Sequence, residues 1–432
     1  MSGPRECTAA EAAALVRAVD SLGIGLGPSH PSAFLHALGE REAFERLTVF
    51  GALLTEVFPL FARSGVRFLS GFFGPAERAY AAAGHSVHHV PADFRRFAPV
   101  AQKLAPRIMA CCAALPDADG RLSLSLHAGG TVAELVRAGR DPERLLIVEV
   151  SRHLPRTRGV PPEHPHALAL EDVDVLIHSE RAPTALEEPA PSEVERAIAA
   201  HARAYIPDGA TLQTGIGGIP SAVAALLASG PGGDYSIHSE MYTDGLMRLQ
   251  RAGKVSNRKP SYPGLSIATF ALGSRELYSW LHERSDVAFL PVELVNDPGA
   301  IAAQRSMRSL NGALALDLFG QIVADTLGHR QYSGVGGHED FTAGSSMALG
   351  GRSLVCLPST ALRGGKTLSR ITAALPAGSL VTTPRHHTDI VVTEHGAAEL
   401  FALTVDERAQ ALIEIAHPDF RASLREEWKS RR

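Results

Sequence analysis

Short runs of apolar residues alternate with amphipathic stretches along the whole 432-residue chain. Leu145-Leu146-Ile147-Val148, Val175-Leu176-Ile177, Ser353-Leu354-Val355-Cys356-Leu357 and Ile390-Val391-Val392 are apolar nearly throughout and too short for buried helices. They predict strands covered on both faces. Pro220 to Leu227 predicts a helix with proline at its start, where no amide donor is missed. Ser192 to Tyr205 predicts another, and Ser192 with Glu195 has the spacing of a capping box. Strands alternating with helices imply mainly parallel sheets with crossover helices, an α/β fold. Ligands of such sheets bind beyond the carboxyl ends of the strands, so the loops after strands are where chemistry is expected.

The pattern also repeats itself in order. Pro31-Ser32-Ala33-Phe34 with Ala37-Leu38 recurs as Pro220-Ser221-Ala222-Val223 with Leu226-Leu227, each preceded by Gly-Ile-Gly at Gly23 and Gly215. Gly74, Glu77 and Tyr80 correspond to Gly273, Glu276 and Tyr278, and Val90-Pro91 to Leu290-Pro291. Asp117-x-x-Gly120 matches Asp317-x-x-Gly320, and Asp174-Val175-Leu176-Ile177 matches Asp389-Ile390-Val391-Val392, followed by Glu180 and Glu394. A drifting but ordered offset is the mark of an internal duplication. The proline-rich, acidic stretch from Arg181 to Pro191 reads as a linker. Two related α/β domains are therefore expected, residues 1–190 and 191–432.

Composition narrows the partners more than the fold. A net charge of −4 calls for neither nucleic acid nor an anionic membrane. The start Met1-Ser2-Gly3-Pro4-Arg5-Glu6-Cys7 lacks the charged and apolar regions of a signal peptide, and no apolar run approaches a bilayer's width. Cys7, Cys111, Cys112 and Cys356 show no paired metal spacing, and Cys111-Cys112 reads as buried thiols in a reducing compartment. A cytoplasmic protein is the expectation.

Thr211 to Glu240 reads strand, glycine loop, helix, strand, with an acid at the end, as in a dinucleotide-binding fingerprint. Pro220 stands where the third glycine would allow close helix–strand packing, which argues against a nicotinamide site. Glu240, in His238-Ser239-Glu240-Met241-Tyr242-Thr243-Asp244-Gly245, would reach the loop face after the strand Tyr235-Ser236-Ile237. A fixed carboxylate there can attack an acyl carbonyl to give an anhydride that a thiolate then opens. By residue type alone, an acid before a turn is usually solvated or capping. Ala52 occupies the equivalent place in the first half, so the acid belongs to one copy only.

Tyr332-Ser333-Gly334-Val335-Gly336-Gly337-His338-Glu339-Asp340-Phe341 sets glycines close enough for backbone N–H groups to point at one oxygen. Such donors make an oxyanion hole, and the same spacing also makes a plain tight turn. Lys366, in Arg363-Gly364-Gly365-Lys366-Thr367, suits a phosphate, though solvated loop charge is the commoner explanation. His88-His89 and His386-His387 would point to opposite faces of a strand and lack ligand partners, so no metal is expected.

Taken together, Leu212 to Pro220, His238 to Gly245, Gln331 to Phe341, Leu357-Pro358-Ser359-Thr360-Ala361, Ile390 to Gly396 and Ile415-Ala416-His417-Pro418-Asp419-Phe420 resemble the acetyl-CoA hydrolase/transferase family, which includes 4-hydroxybutyrate CoA-transferases. The first half resembles it less. Leu154-Pro155-Arg156-Thr157-Arg158-Gly159 stands for a usual P-R-T-H-G, and Glu399-Leu400-Phe401-Ala402 for an acid-leucine-arginine-glycine. The resemblance implies two related open α/β domains of the NagB/RpiA/CoA-transferase type. It puts the family's glutamate nucleophile on Glu240, and its oxyanion and CoA loop on Gly334 to Gly337, with Gly336 and Gly337 as catalytic donors. Gln213, Gly215, Gly217, Gly334, Val335, Asp340 and Phe341 are the expected CoA- or substrate-binding positions, together with Lys366.

The implied activity is ping-pong transfer of CoA between a short-chain acyl-CoA and a small carboxylic acid, through a glutamyl-CoA thioester. CoA would be a substrate and no permanent cofactor is implied. An acyl-CoA hydrolase using the same glutamate is the alternative, and a silent acyl-CoA-binding regulator a further one. A homodimer or larger homo-oligomer is expected.

Overall fold

The computed structural model describes residues 3–127 and 129–431. It forms two compact units, Met1–Leu186 with Ile267–Val295, and Glu187–Ser266 with Asn296–Arg432. The first contains an eight-stranded sheet made of β1 (Arg5–Cys7), β2 (Val19–Leu26), β3 (Ala43–Ala52), β4 (Ser64–Ser70), β5 (Val87–His89), β6 (Ile108–Ala114), β7 (Leu145–Ser151) and β8 (Val175–Ser179). Its order is β1-β8-β7-β6-β2-β3-β4-β5, and every neighbouring pair is parallel. Parallel strands need both faces covered. Accordingly β6 is buried along its whole length, and Cys111 and Cys112 lie within it as free thiols. Burial pushes the Cys111 thiol up to about 12, which leaves it unreactive.

The second unit is built on β9 (Thr211–Thr214), β10 (Ser236–Ile237), β11 (Met307–Gly312), β12 (Arg352–Cys356), β13 (Ile390–Thr393) and β14 (Gly396–Glu399). Its order is β10-β9-β11-β12-β13-β14, parallel except for the terminal hairpin. The order β3-β2-β6-β7-β8 of the first sheet recurs here as β10-β9-β11-β12-β13. The matching turns agree in atomic detail. Gly120 and Gly320 both have positive φ, 68° and 93°, and donate to the carbonyls of Asp117 and Asp317 at 3.0 and 2.9 Å. Asp174 and Asp389, each just before its strand, accept from the backbone N–H of Leu146 (2.7 Å) and Ser353 (3.2 Å) on the neighbouring strand.

The two copies differ in how they place Ile267–Val295. Its counterpart in the first half supplies β5 and the helix before it. The strands Ser266–Ala268 and Val287–Phe289 instead pair with each other and join neither large sheet. The linear division at residue 190 therefore differs from the compact units, because Ile267–Val295 folds with the first. Two local expectations also change. The helix over Pro220–Leu227 begins at Gly218, so Pro220 is its third residue, still within the first turn whose amides have no helical acceptor. His386 and His387 lie in a turn and not in a strand, so alternation does not separate them, and their rings meet edge-on with centroids 4.5 Å apart. The Ser192–Glu195 capping box is formed, opening the helix Glu193–Arg203. Among the described residues, no helix is long and apolar enough to cross a membrane.

Candidate functional site

The second sheet reverses its winding between β9 and β11, and the loops at the carboxyl ends of its strands gather there. β9 runs through Gly215-Ile216-Gly217 into α1 (Gly218–Ser229), and β10 runs through His238 and Ser239 to Glu240 before α2 (Asp244–Arg251). The glycine-rich segment after Gln331 leads into α3 (His338–Met347). Ser239 is wholly buried and fastens the Glu240 loop to β9, accepting from the Thr214 N–H (3.3 Å) and donating to the Thr214 carbonyl (3.2 Å).

Glu240 therefore has a fixed place at the start of α3. The Asn296 amide donates through Nδ2 to Glu240 Oε2 at 2.7 Å and to Asp340 Oδ2 at 3.3 Å, bridging two carboxylates. Asn296 and Asp340 are completely buried. The Gly337 N–H also faces the Glu240 carboxylate. A methyl group on Gly337 would lie 2.1 Å from Glu240 Oε2 and 2.4 Å from Asn296 Nδ2. Only glycine fits there, and the reason is proximity, since its φ of −95° suits any residue. Glu240 keeps a little solvent access, yet burial pushes its carboxyl up to about 7. The Asn296 hydrogen bond opposes that rise, the Asp340 charge adds to it, and the Gly337 amide opposes it. The result is a carboxylate more basic than usual, held by two donors at a helix N-terminus.

The other expected site residues fall into three groups. Gln213 is 5% exposed at the end of β9, and its Oε1 is buried without a hydrogen-bond partner, an acceptor open to a ligand donor. Gly215, Gly334, Val335 and Gly336 lie in the loops described above, and Gly336 takes a positive φ of 56° that turns the chain into α3. Gly217 has φ 114°, but its N–H donates to Glu188 Oε1 at 2.9 Å, so a carboxylate from the linker already holds the anion position expected for a ligand. Asp340 and Phe341 are fully buried, Asp340 against Asn296 and Phe341 6.2 Å from the His238 ring. They support the site from behind and present no surface to a ligand. Lys366 sits in an exposed hairpin, Thr360–Arg363 with Lys366–Ser369, and makes no ion pair with any described residue.

Asn296 is absent from the sequence expectations. It precedes Asp297-Pro298, which reads as an ordinary cap and first helical turn, and Asp297 does cap the helix Pro298–Ala302. Only the fold brings its neighbour to Glu240. In Asn296→Ala, the Glu240 carboxyl should titrate above the wild-type value of about 7, because a donor to the ionised form is lost. Isotope-edited infrared titration of labelled glutamate would read this, and an unchanged midpoint would remove Asn296 from the set. Among the described residues, no group of three or more His, Cys, Asp or Glu side chains is arranged to hold a metal ion.

Residues 273–428 match the acetyl-CoA hydrolase/transferase C-terminal domain. The chain is 33% identical over 430 residues to succinyl-CoA:cyclohexane-1-carboxylate CoA transferase of Geobacter metallireducens, covering 97% of this chain and 94% of that one. It is 39% identical over 303 residues to 4-hydroxybutyrate coenzyme A transferase of Clostridium kluyveri, covering 70% and 68%. The crystal structure of RipA from Yersinia pestis superimposes with a TM-score of 0.87 at 30% identity, over 99% of this chain and 97% of that one. The chain belongs to the acetyl-CoA hydrolase/transferase family, and it is a CoA-transferase enzyme.

Proposed function

We propose that this enzyme moves CoA between a short-chain acyl-CoA and a small carboxylic acid through a covalent thioester on Glu240. A Glu240 oxygen attacks the thioester carbonyl of the acyl-CoA, and the C–S bond breaks to release CoA thiolate. The product is an acyl-glutamyl anhydride. The thiolate then attacks the Glu240 carbonyl carbon, expelling the first acid as its carboxylate and leaving glutamyl-CoA. An incoming carboxylate attacks the same carbon and expels CoA thiolate, giving a second anhydride. The thiolate then attacks the acyl carbon of the new acid, and the Glu240 carboxylate leaves. No proton or electron is consumed, and the thioester free energy is kept throughout.

The observation that carries this reading is the pairing of Glu240 with the Gly337 amide and Asn296 Nδ2, at 2.7 Å for the latter. Those donors hold the attacking carboxylate, and the Gly337 N–H, with that of Gly336, would take the oxyanion that forms on the glutamyl carbon. The partners named for two relatives, 4-hydroxybutyrate for one and succinyl-CoA with cyclohexane-1-carboxylate for the other, support a small carboxylic acid as the acceptor.

Incubation with acetyl-CoA followed by intact-mass analysis and peptide mapping tests the proposal. A CoA adduct on the peptide containing Glu240, discharged by added carboxylate, is the expected result. Consumption of acetyl-CoA without an adduct and without an acceptor would show a hydrolase instead.

A further inference from the structure

A cavity of about 460 Å3 in the N-terminal unit is lined only by residues of that unit, whereas Glu240, Asn296, Gly337 and Asp340 all belong to the other. That volume lies in the range of small-molecule sites. Its ionisable lining is Arg152, His153, Arg275 and His282, with no carboxylate among the described lining residues. This is notable in a chain with a net charge of −4.

Elsewhere in the unit several arginines are matched to acids, Arg107 to Asp20, Arg144 to Glu134, Arg181 to Glu56 and Arg284 to Asp286. Arg275 is exposed and makes no hydrogen bond or ion pair with any described residue. Arg152 reaches Glu180 at 2.7 Å, and His153 reaches the same carboxylate at 3.5 Å. The Arg152 and Glu180 side chains are 66% and 72% exposed, so the pair is worth little and yields readily to a better anion. His282 accepts the Arg156 backbone N–H at Nδ1, which puts the proton of its neutral ring on Nε2 as a further donor. Leu154, Pro155 and Pro183 give the cavity an apolar wall. Tyr278 completes that wall, its hydroxyl anchored by donation to the Thr184 carbonyl at 3.0 Å.

We infer that this cavity binds a phosphate ester with a planar or apolar body, of the size of a nucleotide. The guanidinium forks of Arg275 and Arg152 would take the phosphate oxygens, and the proline, leucine and tyrosine wall the body. Bare phosphate would leave the wall and most of the volume unused.

Titration calorimetry with adenosine diphosphate as the probe, run on the full chain, tests the site. Saturable binding is expected, weakened about tenfold or more in Arg275→Ala, as for loss of a charge-assisted hydrogen bond. In Glu180→Gln, which frees Arg152, binding should tighten. Arg275→Ala should leave the KM for acetyl-CoA unchanged, separating this cavity from the acyl-transfer site, and a raised KM would overturn the assignment. Both cavity substitutions are at exposed side chains, and an unchanged melting temperature confirms their folding. No saturable binding, binding indifferent to Arg275→Ala, or equal binding of succinate or inorganic phosphate would each overturn the assignment.

Discussion

Glu240→Gln is expected to lose CoA transfer by at least about three orders of magnitude and, above neutral pH, to melt at a higher temperature than the wild type. The amide keeps the shape of the side chain but cannot form an anhydride, so turnover and the covalent CoA adduct should disappear together. The stability gain follows from the raised carboxyl. In the unfolded chain Glu240 ionises near 4.5, and in the folded protein near 7. Between those values the folded state binds more protons than the unfolded state, so its contribution is full below 4.5 and is lost as pH rises through 7. At pH 8 the folded protein carries a buried charge that costs roughly 1–3 kcal/mol, which the neutral amide relieves. Melting curves should therefore separate at pH 8 and coincide near pH 4.5. The same ionisation should appear in wild-type kcat/KM, rising with pH to a plateau above about 7. A kcat/KM already flat from pH 5 upward would contradict the buried, basic nucleophile.

Gly337→Ala should cost about a hundredfold in kcat/KM while leaving the fold intact. Its added methyl would sit 2.1 Å from Glu240 Oε2, well inside contact distance, so the carboxylate or the start of α3 must move by an ångström or more. Displacement on that scale is what costs about two orders of magnitude in positioned reactions. The backbone is not strained, because φ at this position is −95°. Far-ultraviolet dichroism and melting should therefore change little as the rate falls. A rate within threefold of wild type would mean that Gly337 is not where the reacting carboxyl sits.

Much of this was readable from the chain. The strands that are apolar throughout, such as Leu145-Leu146-Ile147-Val148 and Ile390-Val391-Val392, declare themselves because parallel strands are covered on both faces. The repeated Asp-x-x-Gly turns were legible because a positive φ and an acceptor at fixed offset leave few residue choices. What depends on tertiary placement was not. Asn296 touches Glu240 across 56 residues of sequence, and nothing in its own neighbourhood distinguishes it from a cap. Glu188 fills the Gly217 position from a stretch whose composition announced only a linker. Phe341 reads as a ligand contact in the matching motif, yet the period of α3 turns it into the core. Ile267–Val295 repeats the first half in sequence while leaving the second sheet, since sequence similarity between copies does not determine which core a segment joins.

That segment has a consequence for the order of events at the ribosome. The N-terminal unit cannot be completed when its contiguous portion emerges at Leu186, because its last pieces are encoded up to Val295. At ~5–20 residues per second, the intervening synthesis takes roughly 5–20 s, during which the nascent first unit waits unfinished. The contiguous portion therefore emerges from the ribosome before the segment that completes its core exists.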